Sequence, residues 1–287
     1  MIGTALALLV AFFVAGRDAL SKIVLKETDE YMVCWATALF SFLFMLPTLF
    51  FIPIPFLRDG FLLALFFGAV LNFLARLIFL KAVKIADLSL VAPLLSFSPV
   101  FLVLASPLAT ARLPGIPVVA GVGLLLAGSC LLVLRGGGLE RHAPLRKLLM
   151  ERWARMGLIV AFIWSLAGIV DGVGIYDSAP LFWGVSIQGF MVLLGLPFVI
   201  RRTWARGGRI SPRIKSVAPI GLYNAVVIGL YMLALNFASV SFVFSFYQAS
   251  IIFSIFLGWL LFKERNVLER LQGGSVMLAG MVVMSVF

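Results

Sequence analysis

Residues 79–108, FLKAVKIADLSLVAPLLSFSPVFLVLASPL, and residues 231–266, YMLALNFASVSFVFSFYQASIIFSIFLGWLLFKERN, decide the fold of this chain. The second stretch begins 152 positions after the first, and the same shift lays residues 68–133 on 220–285 without a gap. It matches Asn72 with Asn224, Ala82 with Ala234, Ser89 with Ser241, Ser98 with Ser250, Gly121 with Gly273, and Leu126-Ala127-Gly128 with Leu278-Ala279-Gly280. Nearer the start of each half, Val10-Ala11-Phe12 recurs as Val160-Ala161-Phe162. The chain is therefore an internal repeat. If each unit holds five membrane helices, an odd number, the second copy must insert upside down relative to the first, as in many secondary transporters.

Composition supplies the membrane. Of 287 residues, 63% are hydrophobic and only 12% charged, with a mean hydropathy of +1.14; an ordinary soluble domain carries about a quarter charged residues. Apolar runs lie near residues 2–25, 32–54, 60–80, 88–110, 114–134, 154–175, 179–200, 216–237, 239–261 and 267–287. Each has about the 20 residues that a helix needs to cross a hydrocarbon core of about 30 Å. The runs are continuously apolar, whereas barrel strands alternate over about 10 residues. The expected fold is an all-α membrane protein of ten transmembrane helices, arranged as two inverted five-helix repeats. Residues 1–135 form the first repeat, 136–153 a basic linker and 154–287 the second repeat.

Other classes find little support. Cys34 and Cys130 stand alone within apolar stretches, without CxxC spacing or companion ligands, and read as small buried hydrophobes. No cofactor or metal is expected. His142, the one histidine, falls in a connection, so an enzyme would lack a base at the depth of its nucleophile. The net charge of +11 is not interleaved with aromatics outside the spans, which argues against nucleic acid. The opening residues MIGTALALLVAFFVAG lack a basic leader and a small-residue cleavage site, and read as a retained first helix.

The positive charge sorts by loop instead. Connections after odd-numbered helices carry roughly 18 Lys and Arg, from Lys26, Lys81 and Lys84 through Arg201, Arg202 and Lys215 to Lys263 and Arg270, against Arg58 and Arg112 on the other side. Short basic loops stay in the cytoplasm, which places both termini outside it, in a bacterial inner membrane. The linker runs from Gly136-Gly137-Gly138 into HAPLRKLLMERWARM, where Leu145, Leu148, Leu149 and Met156 oppose Arg146, Lys147 and Arg152, a basic amphipathic segment suited to an anionic lipid surface.

The two stretches quoted at the outset, with the Gly-rich helices closing each half, resemble the ten-helix EamA branch of the drug/metabolite transporter superfamily. The likeness covers essentially the whole chain, and its specific parts are Pro99 followed by Val100-Phe101, the turn at Glu264, Lys22 closing helix 1 and Trp164 on helix 6. It implies export or exchange of small metabolites such as amino acids through a cavity lined by helices 1, 3, 4, 6, 8 and 9, often linked to protons. The chain departs from the family pattern at Ile251, Arg112 and Arg17, where a proline, a glutamate and an asparagine are usual. Well-known relatives keep their termini in the cytoplasm, the reverse of what the loop charges indicate.

An ionisable group inside a span costs several kcal/mol unless it meets a cavity or a partner. Arg17, Asp18, Arg76 and Asp171, with Lys22 at an edge, are thus the candidates for gating or proton coupling. Asp18 and Arg76 fall at similar depth, as an ion pair that is either an inner gate or a static tie between helices. Arg17 sits about 100° around the helix from Asp18, so only one of the two is expected to face a given partner. Asp171 has fewer obvious partners, and reads either as a proton carrier or as a carboxylate reaching interfacial water. The substrate-binding candidates are Asn72, Ser96, Ser98, Trp164, Tyr223, Asn224, Tyr247 and Gln248. They either orient an amphipathic ligand or form interhelical hydrogen bonds worth about 0.6 kcal/mol each. Pro93 and Pro99 are expected to bend helix 4. The small faces of helices 5 and 10 permit close helix approach or, alternatively, dimerisation.

The function expected from these readings is alternating-access transport of small amphipathic metabolites, amino acids or their derivatives first, with a buried carboxylate available for proton coupling. The alternative keeps the fold and moves lipidic or lipid-linked headgroups. The partners expected are the small-molecule substrate and membrane lipid, with the chain a monomer or a homodimer.

Overall fold

Turn-forming residues cut the apolar sequence where the helices end. Asp29 caps the second helix, its carboxylate accepting from the Tyr31 amide at 2.9 Å. The segment Ile52-Pro53-Ile54-Pro55 has too few free amides to continue the helix before it, and Gly60 precedes the next. Lys263 closes the ninth helix in the left-handed conformation, φ 53°. The computed structural model describes residues 2–98, 100–101, 115–135, 150–205, 212–234, 237, 247, 249–264 and 266–286. Its helices are α1 (Ile2–Val24), α2 (Glu30–Met45), α3 (Phe61–Ile85), α4 (Leu88–Leu94), α5 (Ile116–Arg135), α6 (Arg152–Tyr176), α7 (Pro180–Ala205), α8 (Ala218–Ala234), α9 (Ser250–Phe262) and α10 (Val267–Val286). Among the described residues, five segments are long and apolar enough to cross a membrane by themselves: Glu30–Phe50, Phe61–Ile85, Arg152–Tyr176, Pro180–Trp204 and Ile214–Ala234.

The helices pair as two inverted copies require. Exchanging α1 with α6, α2 with α7, α3 with α8, α4 with α9 and α5 with α10 turns each principal packing into another that is present. Thus α3 on α6 corresponds to α8 on α1, α2 on α8 to α7 on α3, and α1 on α9 to α6 on α4. The pairs α5 with α10, α2 with α7 and α4 with α9 map onto themselves, straddling the pseudo-two-fold axis. α1 with α8 and α3 with α6 form two packed pairs that the axis exchanges.

The helix ends differ from the sequence expectation: Arg152, Arg155, Arg201, Arg202 and Arg270, expected in connections, lie within α6, α7 and α10. α3 continues to Ile85, so Lys81 and Lys84 are helical rather than in a loop. Lys81 lies over the Tyr31 ring at 4.7 Å and Lys84 pairs with Glu30 at 2.8 Å, which lets the last turn carry charge at the membrane edge. Helix 4 is irregular beside Pro93, as expected of a residue without an amide donor: the α-helix ends at Leu94 and a 3₁₀ turn follows at Leu95–Phe97. Pro99 lies outside the described residues, as do Arg112, His142 and most of the linker.

The small residues of α5 and α10 serve packing inside the chain. A Cβ at Gly128 would stand 2.7 Å from the Gly273 carbonyl, and one at Gly273 would stand 2.7 Å from the Gly128 carbonyl, so the two backbones touch. Cys34 is buried in α2, its sulfur 3.8 Å from the Phe73 carbonyl.

Candidate functional site

Gly16 lets α1 approach α8, since a Cβ there would meet the Tyr223 ring at 2.6 Å. Phe13 packs edge-on against the same ring, 5.2 Å between centroids. This close approach buries the next two residues of α1, Arg17 and Asp18, which are 6% and 2% exposed. Asp18 lies six residues, roughly 9 Å of rise, from the end of α1. That is the end where most Lys and Arg gather, called the basic end below.

The expected contact between Asp18 and Arg76 is present: Arg76 Nη1 donates to Asp18 Oδ1 at 2.8 Å. As the 100° offset requires, the two residues face different partners, Asp18 meeting Arg76 and Arg17 meeting Asn224, and they also bond each other. Arg17 Nε donates to Asp18 Oδ1, at 2.9 Å, because its long side chain folds along the helix. One carboxylate oxygen thus serves two guanidiniums, leaving the trio with a formal charge of +1. Neutral groups satisfy the remaining donors. Arg17 Nη1 donates to Asn224 Oδ1 at 2.9 Å, and Tyr247 stands beside the same guanidinium. Asn224 Nδ2 donates to Ser41 at 2.8 Å, and Ser41 donates in turn to the Gly221 carbonyl. Arg76 Nη2 donates to Ser21 at 3.0 Å. α1, α2, α3 and α8 are joined through this network.

A second polar cluster forms where α3 meets α6, the pseudo-equivalent of α8 against α1. Asp171 lies five residues, roughly 8 Å of rise, from the opposite end of α6. It is not short of partners, contrary to expectation. Trp183 Nε1 donates to Asp171 Oδ1 at 3.2 Å and the Asn72 side chain also bonds the carboxylate. Gly174 seats that tryptophan: the indole lies where a Cβ would be. Asn72 Nδ2 further reaches the Gly68 carbonyl at 3.0 Å. Tyr231 of α8 interacts electrostatically with both Asp171 and Tyr247. The Tyr231 and Tyr247 rings meet edge-on, centroids 6.2 Å apart, between the two clusters.

The structure therefore brings Arg17, Asp18, Arg76, Asn224 and Tyr247 into one cluster, with Tyr223 packed on its α1 side, and Asn72 and Asp171 into another. It does not gather every candidate. Trp164 packs against Phe79, ring centroids 6.0 Å apart, at the edge of the hydrophobic core between α3 and α6. Ser98 returns its hydroxyl to the Leu95 carbonyl at 2.7 Å, and Ser96 is buried. Gln248 lies outside the described residues. Ser21, Ser41, Trp183 and Tyr231 escaped the sequence reading. Ser21 had a signal, lying one turn beyond Arg17 on the same helix face, whereas the others act across helices whose rotation the sequence does not set. Among the described residues no group of His, Cys, Asp and Glu is placed to hold a metal.

Comparison with known proteins agrees with this fold. A protein known by its crystal structure shares the fold, with a TM-score of 0.59 and 13% identity over 97% of each chain. No curated protein sequence matches the chain. A family model described as the EamA-like transporter family matches residues 1–134 and again residues 152–286. With ten helices in two inverted copies around buried charge, and the family matched once by each half, this chain is a multi-pass membrane protein of the drug/metabolite transporter type and belongs to the EamA-like transporter family.

Proposed function

We propose that the protein carries small amphipathic metabolites bearing both a carboxylate and an amine, amino acids or their derivatives, by alternating access, with a proton exchanged at Asp171. The observation that carries this reading is the pair of equivalent asparagines facing opposite charge: Asn224 accepts from Arg17, while Asn72 bonds Asp171. A substrate carboxylate is drawn to the Arg17–Asp18–Arg76 trio, which holds one positive charge in excess. An ammonium group is drawn to Asp171, and the Tyr231 and Tyr247 rings between the poles offer a surface for the rest of the molecule. Asp171 meets neutral donors, so a proton or an ammonium can come and go there without breaking an ion pair. Protonating Asp18 would break two.

The protein is placed in a bacterial inner membrane, and the loop charges support both termini lying outside the cytoplasm. The use of the small residues of α5 and α10 within the chain favours a monomer. Purified protein in liposomes should accumulate labelled amino acids faster with an imposed pH gradient than without one. Absence of flux for every amino acid under any gradient would refute the reading.

A further inference from the structure

The turn after α9 holds a buried charge network that the transport site does not use. Lys263 and Asn266 both adopt left-handed backbone, φ 53° and 61°, and reverse the chain so that the Glu264 carboxylate returns into the bundle. Glu264 is 7% exposed and Arg270 3%. Oε1 accepts from Lys22 Nζ of α1 and from the Leu88 amide of α4, each at 3.0 Å. Oε2 accepts from the Ser89 amide at 3.3 Å, from the Ser89 hydroxyl, and from Arg270 Nη1 of α10 at 3.2 Å. Lys22 also donates to the Ala86 carbonyl at 3.1 Å, and Arg270 Nη2 pairs with Asp87 at 3.0 Å. One carboxylate thus ties α1 and the start of α4, both in the first repeat, to α10 in the second, all at the basic end.

The opposite end cannot copy this device. The pseudo-equivalents of Lys22, Glu264 and Arg270 are Gly172, Arg112 and Val118, which carry no acid and cannot form the pairs. Among the described residues, contacts at that end include Arg58 over the Tyr176 ring at 4.3 Å and its amide on the Asp177 carbonyl at 3.1 Å. Two inverted halves with matching closures would favour neither side, whereas a buried network at one end biases the resting state.

We infer that Glu264, with Lys22 and Arg270, is a one-sided latch: it holds the bundle shut at the basic end, and it must release before the space between the Arg17 and Asp171 clusters opens there. The inference rests on the alternating-access reading above. It is tested without any substrate. In a Cys34→Ala, Cys130→Ala background, spin labels are placed at the exposed positions Ile85 and Leu268, through Ile85→Cys and Leu268→Cys, which flank the latch on α3 and α10. Distances between them are then measured in lipid nanodiscs.

The parent should give one short, narrow distribution, and Glu264→Gln should add a second population longer by about 5 Å, the scale of one helical turn. Lys22→Met, which leaves Arg270 and the α4 amides on Glu264, should add a smaller one, and it decides the matter alone if Glu264→Gln is not recovered as a monodisperse protein. Distributions identical to the parent in the recovered variants would overturn the latch. If the variants open but the parent moves no solute in liposomes, the transport reading falls and the latch stands.

Discussion

The two asparagines related by the repeat sit in equivalent places and meet opposite chemistry. Asn224 offers its carbonyl oxygen to the Arg17 guanidinium, while Asn72 bonds the Asp171 carboxylate. An amide side chain is both donor and acceptor, so one ancestral residue type serves either sign. What distinguishes the halves is the partner helix. In α1 the charges are doubled and interlocked, with Arg76 added from α3, whereas the position in α8 equivalent to Arg76 holds Ile228. The basic pole is therefore a tied ionic knot and the acidic pole a single carboxylate among neutral donors. The first suits a fixed role, the second a changeable one.

That contrast is easiest to break through stability. Asp18→Asn leaves two buried guanidiniums about a neutral amide and should cost about 3 to 5 kcal/mol in unfolding measured in detergent. Asp171→Asn keeps an acceptor for Trp183 and should cost about 1 kcal/mol. Equal losses would mean that the poles do not differ as described. Uptake sharpens the contrast from the other side. Asp171→Asn should remove the stimulation by a pH gradient altogether, while residual transport by Asp18→Asn should keep it; stimulation surviving in Asp171→Asn would exclude that carboxylate as the proton site.

Smaller effects follow at the asparagines. Asn224→Leu takes an acceptor from a charged donor and should destabilise by about 1.5 to 3 kcal/mol; Asn72→Leu should cost nearer 1 kcal/mol, and thermal unfolding of the two variants side by side reverses or supports that order. Least is expected of Ser21→Ala, about 0.5 to 1 kcal/mol, because Arg76 retains Asp18 through its other nitrogen.

Much of this was legible in the sequence. Apolar runs of membrane length and the shift of 152 residues give ten helices and their inversion, because lipid forces every spanning segment to satisfy its own backbone. The charges within spans marked the candidate site for the same reason, and similar depth was enough to pair Asp18 with Arg76. What the sequence hides is rotation about each helix axis. Trp183 reaches Asp171 only because Gly174 makes room for the indole, and Ser41 reaches Asn224 only through the packing of α2 on α8. Glu264 was visible as a motif residue, but its five donors come from α1, α4 and α10, and no spacing along the chain announces them.

On the proposed function, two poles of opposite sign hold one substrate between them. Initial uptake rates in liposomes containing the protein, compared for an amino acid, its decarboxylated amine and its deaminated acid, test this most directly. The account predicts that each analogue, missing the group for one pole, is carried at least about tenfold more slowly, the equivalent of about 1.4 kcal/mol. An amine or an acid carried as fast as the amino acid would contradict it.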